Sequence, residues 1–419
     1  GMSRSTSVAL LFWSAFLVEH LLPGPRSGGF LHYARYFKRP FGRQLRHGHV
    51  RRLAAPASAE DSLVEQLPRL QDLAKARFGL PFLPQPGELA PWCEFSITVV
   101  PHQLVRDLEQ LEYLVDRGVL SSEVERYVRN YALPEYRLAL DFVSSLLQGT
   151  SCDSVVLQPD EELTEKMAVF FGLYRRILHL HPGAVLATPF VSPRIDFRDV
   201  QRRYLEQEHR AVVIDDLFSP RALQHILDFL LESTMWLDFK RGYVGAYVQT
   251  GFAAEFIAQI DAELRARLPD VLGHLPLENA WAYMYDGELP GIGIHADDAQ
   301  VQINFFLTPD EGNAWPEEPS APSGGLVIFG VGPPPDWDFD RYNSVSTNPG
   351  ILDVVASNGN WNITIPYRQN RAILFDSTYF HKTDDIKFRK GYTNRRINLT
   401  FLYGSRKKLR SAPAVAADG

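Results

Sequence analysis

The chain has 419 residues, 45% hydrophobic and 22% charged, the balance of a folded globular protein of two or three domains rather than a disordered or fibrous one. A formal net charge of -7 lacks the basic footprint of a nucleic-acid binder and disfavours nucleic acid as a substrate. Two cysteines, Cys93 and Cys152, allow at most one disulfide, which a core of this size does not need, so a reducing cytoplasm is the expected setting.

Gly1 before Met2 reads as a tag remnant. The apolar stretch Val8 to Leu22 is interrupted by Glu19 and His20. It falls short of the ~20 residues that span a bilayer, so a buried helix is expected and no membrane span. Basic runs at Arg35 to Arg52 and Arg406 to Arg410 read as solvated faces. Before about residue 195 helical periodicity dominates. Ser58 to Phe78 reads as a helix started by Ser58 or Asp61 and stopped by Gly79. Pro101 to Arg117 places Leu104, Leu108, Leu111 and Leu114 on one face, with Gly118 after it. Ser122 to Tyr131 opens like a capping box closed by Glu125. Tyr136 to Leu147 is another apolar-faced helix. Asp160 to Leu178 has acids in its first turn and Arg175 and Arg176 in its last, as the helix dipole favours. No fixed repeat period emerges. An irregular helical domain over 1-195 is expected, with a degenerate helical-hairpin array as the alternative.

After residue 195 short β segments take over: Ala211 to Ile214, Glu278 to Tyr285, Gly293 to His295, Val301 to Leu307, Leu326 to Phe329, Trp361 to Ile365, Arg371 to Phe375 and Arg396 to Tyr403. The turn signals YDG, PDEG, SGG, NPG and SNGN separate them, and two helices intervene, Ser219 to Ser233 and Ala253 to Leu268. The expected class is α+β: a double-sheet jelly roll over 196-410, preceded by an all-helical domain and followed by a tail at 411-419. Pro309 to Ser323 and Gly330 to Tyr342 read as long loops, of the kind that often serve as lids.

The chemistry concentrates in GIGIHADDA. His295 and Asp297 stand at i and i+2, which share one face of an extended chain. By itself that pair is weak evidence. A second histidine, His381 in DSTYFHKTD, follows the strand Arg371 to Phe375 and completes a two-histidine, one-carboxylate set. Such a set on one side of an octahedral ion leaves open positions and is the ligand pattern of non-haem Fe(II) oxygenases. Zinc would favour a closed four-coordinate site. Farther on, RINLTFLY puts Arg396, Asn398 and Thr400 on one face of a strand. A buried arginine needs an acidic partner, and a dicarboxylate co-substrate could supply one through two parallel hydrogen bonds. Asn304, in the apolar strand VQINFFL, likewise needs a partner.

The pattern HAD, a distant histidine and RxNLTF resembles the 2-oxoglutarate/Fe(II) dioxygenase superfamily, and RAVVIDDLFSPRALQHILDFL is similar to the opening of its prolyl-hydroxylase-like branch. The resemblance covers about 205-405. The segments HADDAQVQINFFLTPDE, SGGLVIFG, YRQNRAILFDS and NRRINLTFLYG are also similar to an uncharacterised bacterial subgroup often joined to helical repeats. The resemblance implies a double-stranded β-helix in which Fe(II) binds His295, Asp297 and His381. It sets 2-oxoglutarate against Arg396 or Arg395, with strand alternation favouring Arg396. Tyr285 and Asn304 would be hydrogen-bonding groups at the co-substrate, beside Asn398. It also implies dioxygen as oxidant, succinate and CO2 as co-products, and hydroxylation or oxidative demethylation of a small molecule or peptide side chain. Asp297 stands where halogenating relatives carry a small residue. Trp281, Asp298, Trp315, Tyr379 and Tyr392 fall near the expected mouth, with packing or loop structure favoured over substrate contact for each, and the helical half could bind a protein partner. The rival readings are a metalloenzyme of cupin type that does not use 2-oxoglutarate, and a non-catalytic interaction module.

Overall fold

A computed structural model describes residues 62-406 apart from 94-95, 288-289, 316-321, 345 and 347. The expected helix over Val8 to Leu22, the basic run Arg35 to Arg52, most of the run from Arg406 and the tail lie outside the described residues. The described residues belong to one compact unit. Its helices are α1 (Leu63–Phe78), α2 (Pro101–Arg117), α3 (Ser122–Tyr127), α4 (Leu133–Leu147), α5 (Glu161–Leu173), α6 (Phe197–Glu206), α7 (Pro220–Glu232), α8 (Glu255–Arg267), α9 (Pro269–Leu272), α10 (Phe339–Tyr342) and α11 (Gly350–Asn358). Its strands are β1 (Ile97–Val99), β2 (Val155–Leu157), β3 (Ala211–Ile214), β4 (Asp238–Lys240), β5 (Tyr243–Tyr247), β6 (Leu277–Tyr285), β7 (Val301–Phe306), β8 (Leu326–Phe329), β9 (Asn362–Ile365), β10 (Ala372–Asp376), β11 (His381–Thr383) and β12 (Ile397–Tyr403).

Local chemistry explains most helix limits. Ser62 caps α1 through a capping box with Glu65, a position after the expected start signals. α2 runs over the expected residues, buries Leu104, Leu108, Leu111 and Leu114, and ends at Gly118 with φ 66. The cap of α3 is Ser121 rather than Ser122: its hydroxyl accepts from Val124 N, and a π-helical turn at Val128–Ala132 runs on into α4. α5 stops at Leu173, short of Leu178, and Arg175 adopts φ 59, so Arg175 and Arg176 are not the last-turn cations expected. The N-terminal half is also not purely helical, because β1 and β2 pair antiparallel within it. Three-residue strands are too short to show a period. β4, β5, α6 and α11 were likewise not foreseen, and NPG, expected as a turn, starts α11. Both cysteines are free, Cys93 buried and Cys152 exposed. Among the described helices none is long and apolar enough to cross a membrane.

A seven-stranded antiparallel sheet, ordered β3-β10-β7-β12-β6-β5-β4, dominates the second half, and a three-stranded sheet β11-β8-β9 accompanies it. This arrangement is consistent with a jelly roll. Strand alternation divides the large sheet into two chemically distinct faces. Ile303, Phe305, Leu399, Phe401, Ala280 and Ala282 turn outward into a core with Phe229 and Leu230 of α7 and Phe256 and Ile260 of α8. On the inner face, Phe306, Ile373 and Phe375 pack against Leu326 and Ile328 of β8 and Ile365 of β9. The site lies on this inner face.

At the head of β8, Gly325 leaves no room for a side chain, since a Cβ there would overlap the Ile365 carbonyl oxygen. Gly325→Ala is expected to destabilise the fold by roughly 1–3 kcal/mol, the usual cost of overpacking. A urea-denaturation midpoint equal to that of the unaltered protein would contradict this packing.

Candidate metal centre

Two backbone hydrogen bonds join the chain at His295 to the chain at His381: His295 N donates to His381 O at 3.0 Å, and His381 N donates to His295 O at 2.8 Å. This is an isolated antiparallel bridge, so the strand expected over Gly293 to His295 contracts to one pair. Directly opposed residues of such a pair project to the same side. The two imidazoles accordingly face each other with ring centroids 4.3 Å apart. Asp297, two residues on, joins them: its Oδ2 is 3.4 Å from His381 Nε2 and 3.9 Å from His295 Nε2. Ligand atoms of all three lie within 4.8 Å of one another.

The second ring nitrogens decide what these atoms can do. His295 Nδ1 lies 2.9 Å from Gly293 O, and His381 Nδ1 lies 3.1 Å from Tyr379 O. A carbonyl can only accept, so each neutral ring carries its proton on Nδ1 and turns a lone pair on Nε2 toward Asp297. Asp297 Oδ2 is buried and has no hydrogen-bond partner. Three acceptors converging without a proton between them repel one another, and a cation is the natural resolution. Protonation is a poor substitute: burial, reinforced by His381, pushes His295 down to about 4. Burial raises the Asp297 carboxyl, but His381, His295 and Gln302 outweigh it and hold it below its ordinary value. The donor set therefore fits a divalent ion of the Fe(II) class, held by two neutral imidazoles and one carboxylate.

Behind the ligands, Ala296 and Phe380 pack with Trp337, Tyr342 and Ile351. Ala296 N donates to Tyr342 O at 3.1 Å, so the Gly330 to Tyr342 segment is pinned to the ligand strand.

A row of polar side chains crosses the inner face from the centre. Ser377 Oγ donates to Gln302 Oε1 (3.2 Å), Gln302 Nε2 to Asn304 Oδ1 (3.2 Å), Thr400 Oγ1 to Asn304 Oδ1 (2.9 Å), Asn398 Nδ2 to Thr400 Oγ1 (3.3 Å) and Arg396 Nη1 to Asn398 Oδ1 (3.0 Å). Arg396 ends the row, only 2% exposed. Its other donors meet main-chain carbonyls, Nε to Gly324 O at 2.6 Å and Nη2 to Gly325 O at 3.4 Å. Its guanidinium lies 4.6 Å from the Tyr285 ring centroid, 5.1 Å from Phe306 and 5.7 Å from Tyr367. Among the described residues no carboxylate pairs with it. Arg395 points the other way: Nε bonds Glu109 of α2 at 2.7 Å and Nη1 lies 3.5 Å from Asp286. Of the two candidate arginines, then, only Arg396 has an unmatched charge facing the row. Burial keeps the Tyr285 phenol above its ordinary value despite Arg396 beside it, so it stays a donor; its oxygen is 3.5 Å from Thr383 Oγ1.

The expected mouth residues divide. Trp281 packs with Ala299 and Leu402, beside Tyr247 and Tyr283. Asp298 follows the ligand strand directly. Tyr379 stands edge-on to Trp361 at 5.3 Å. Trp315 is tied to Asp385 O through its indole N–H at 2.8 Å. Tyr392 is buried, donates to Leu231 O of α7 at 2.8 Å and serves packing instead of the mouth. Gln302, Thr383, Tyr367 and the two glycine carbonyls at the site were not foreseen. Gln302 was legible, because Gln302 and Asn304 are two polar residues on one face of an otherwise apolar strand.

No family model matches the sequence, and no curated protein matches it. Solved structures with similarity include a prolyl hydroxylase in complex with a hypoxia inducible factor peptide fragment from Trichoplax adhaerens (15% identity, 52% of this chain and 93% of that one, TM-score 0.34). A second is a prolyl-4-hydroxylase from Pseudomonas putida (16% identity, 50% and 99%, TM-score 0.31). A third is an oxidoreductase of the 2OG-Fe(II) oxygenase family from Burkholderia pseudomallei (11% identity, 52% and 95%, TM-score 0.31).

Removing one of three ligands should collapse the metal centre. His381→Ala is expected to lose stoichiometric Fe(II) or Mn(II) binding in anaerobic titration while keeping its circular dichroism spectrum. Undiminished metal stoichiometry in the folded variant would refute the ligand assignment.

Proposed function

We propose that the chain is an Fe(II)- and 2-oxoglutarate-dependent oxygenase on a double-stranded β-helix, hydroxylating or oxidatively demethylating a small molecule or a peptide side chain. The observation that carries the reading is Arg396: a buried guanidinium without a carboxylate partner among the described residues, joined by a continuous polar row to Gln302 beside Asp297. A lone buried charge costs several kcal/mol, so a site that keeps one is built for an anion that arrives. A metalloenzyme of cupin type without a 2-oxo acid leaves that charge unexplained.

In this reading His295, Asp297 and His381 would hold Fe(II) through two imidazole nitrogens and one carboxylate oxygen. Bound there, Fe(II) with 2-oxoglutarate supplies dioxygen activation, with the 2-oxo acid decarboxylated to succinate and CO2 and one oxygen atom entering a substrate C–H bond. The chain's own residues bind and orient. Arg396 takes the distal carboxylate through its planar fork. Tyr285 donates a hydrogen bond beside it. Asn398, Thr400 and Asn304 keep the guanidinium aimed by spending their own bonding capacity on one another. Phe306, Ile373 and Phe375 exclude water from the inner face.

Two substitutions separate the neighbouring arginines. Arg396→Ala is expected to weaken 2-oxoglutarate binding by roughly 10–100-fold, as loss of charge-assisted bonds at about 1.5–3 kcal/mol implies, with metal affinity retained. Arg395→Gln breaks the Glu109 pair and should lower stability by roughly 1–3 kcal/mol while 2-oxoglutarate affinity stays within about threefold. Calorimetry on the Mn(II)-loaded protein checks both. Unchanged affinity in Arg396→Ala would remove the anchor, and absence of 2-oxoglutarate-dependent succinate release across broad substrate pools would sink the oxygenase reading.

A further inference from the structure

The arginines after α5 have a different place from the one their sequence position suggests. Leu173 ends the helix, Arg175 turns with φ 59, and Arg175 and Arg176 both reach the wall of a cavity of about 310 Å³. Arg77, from the last turn of α1, lines it too, as do Phe78, Trp92 and Tyr174. No aspartate or glutamate is among the described residues that line it. The three guanidinium groups have no carboxylate partner among the described residues. Arg176 Nη1 donates to Arg77 O at 2.9 Å, and Arg175 Nη2 donates to Leu237 O at 3.2 Å. Arg176 lies 5.2 Å over the Trp92 ring, Arg77 lies 5.1 Å over Phe78, and Arg175 lies 5.0 Å over Phe239.

Three arginines from two separate segments on the wall of one cavity give it a positive potential that favours an anion. Partial burial disfavours the charge and pulls the Arg176 guanidinium below its ordinary value. The outlying φ at Arg175 is a further local strain at a position where glycine or asparagine would be easier. Planar guanidinium forks bind carboxylate and phosphate alike, and a phosphate's several oxygens can be shared by arginines that arrive from two segments. The aromatic walls offer a ring and the flat faces of the arginines a place to stack. The volume falls at the low end of the roughly 300–1,000 Å³ of small-molecule sites, room for one ring and one phosphate rather than a polymer.

We propose that the cavity between α1 and the α5 exit is a binding site for a small phosphorylated ring compound of mononucleotide size, held by Arg77, Arg175 and Arg176 with its ring against the Trp92 side. This goes beyond the oxygenase reading and does not depend on it.

Calorimetric titration of the full chain with AMP, GMP, CMP and UMP tests the site, with adenosine and ribose 5-phosphate as arms that lack the phosphate or the ring. At least one nucleotide is expected to bind saturably, at least tenfold more tightly than either arm, and to weaken as salt rises. Arg176→Gln is expected to weaken that nucleotide at least tenfold, with Mn(II) binding at the histidine centre unchanged; Arg175→Gln serves if the first variant does not fold. Three results would overturn the proposal: no binding of any of the four nucleotides, ribose 5-phosphate binding as tightly as the nucleotide, or nucleotide affinity within twofold of the unaltered protein in a folded variant.

Discussion

A guanidinium kept out of water, with no acidic partner among the described residues, is the constraint around which the inner half of this molecule is arranged. Arg396 is surrounded on three sides by rings, Tyr285, Phe306 and Tyr367, which hold a cation electrostatically while excluding solvent. Two glycine carbonyls and Asn398 occupy its N–H groups in part. None of these supplies a full negative charge. Neighbouring elements then acquire a second purpose. Gly325 is glycine because the backbone of β9 comes too close for a side chain, and that approach also aims its carbonyl at Arg396.

The same economy governs the sheet. A β-strand turns successive residues to opposite faces, so one strand can serve a dry core and a polar site at once. In β12, Leu399 and Phe401 close the helix-covered core, while Asn398 and Thr400 join the row that leads toward Asp297. A slip of one residue would exchange the two sets and destroy both. The core that holds the sheet together therefore also fixes the row.

α2 shows what the N-terminal half contributes. Its Glu109 takes Arg395, the residue next to Arg396, and Gln110 donates to Leu231 O and Ser233 O at the end of α7. Thr308 holds the backbone on both sides of Arg396, accepting from Ile397 N and donating to Arg395 O. The start of β12 is thus clamped from two directions. With one arginine paired outside the sheet, alternation directs the next one inward.

Much of the site was legible in the residues alone. His295 and Asp297 at i and i+2, His381 after a strand, and Arg396 with Asn398 on one strand face all follow from periods that a linear chain carries openly. Helix limits with strong local caps, such as Gly118, were legible for the same reason. What pairs across the fold was not. Sequence alternation favoured Arg396 over Arg395 without excluding either; Glu109, far away in the chain, leaves only one of the two charges unmatched. Tyr392 was read near the mouth with packing as its favoured role, but the partner it packs on, Leu231 of α7, was not legible. Arg175 and Arg176 suit a helix end until the helix stops at Leu173, five residues early. The physical reason is common to all three. A backbone period is a local property written residue by residue, whereas the partner of a charge or a hydroxyl is set by which distant segments the core brings together.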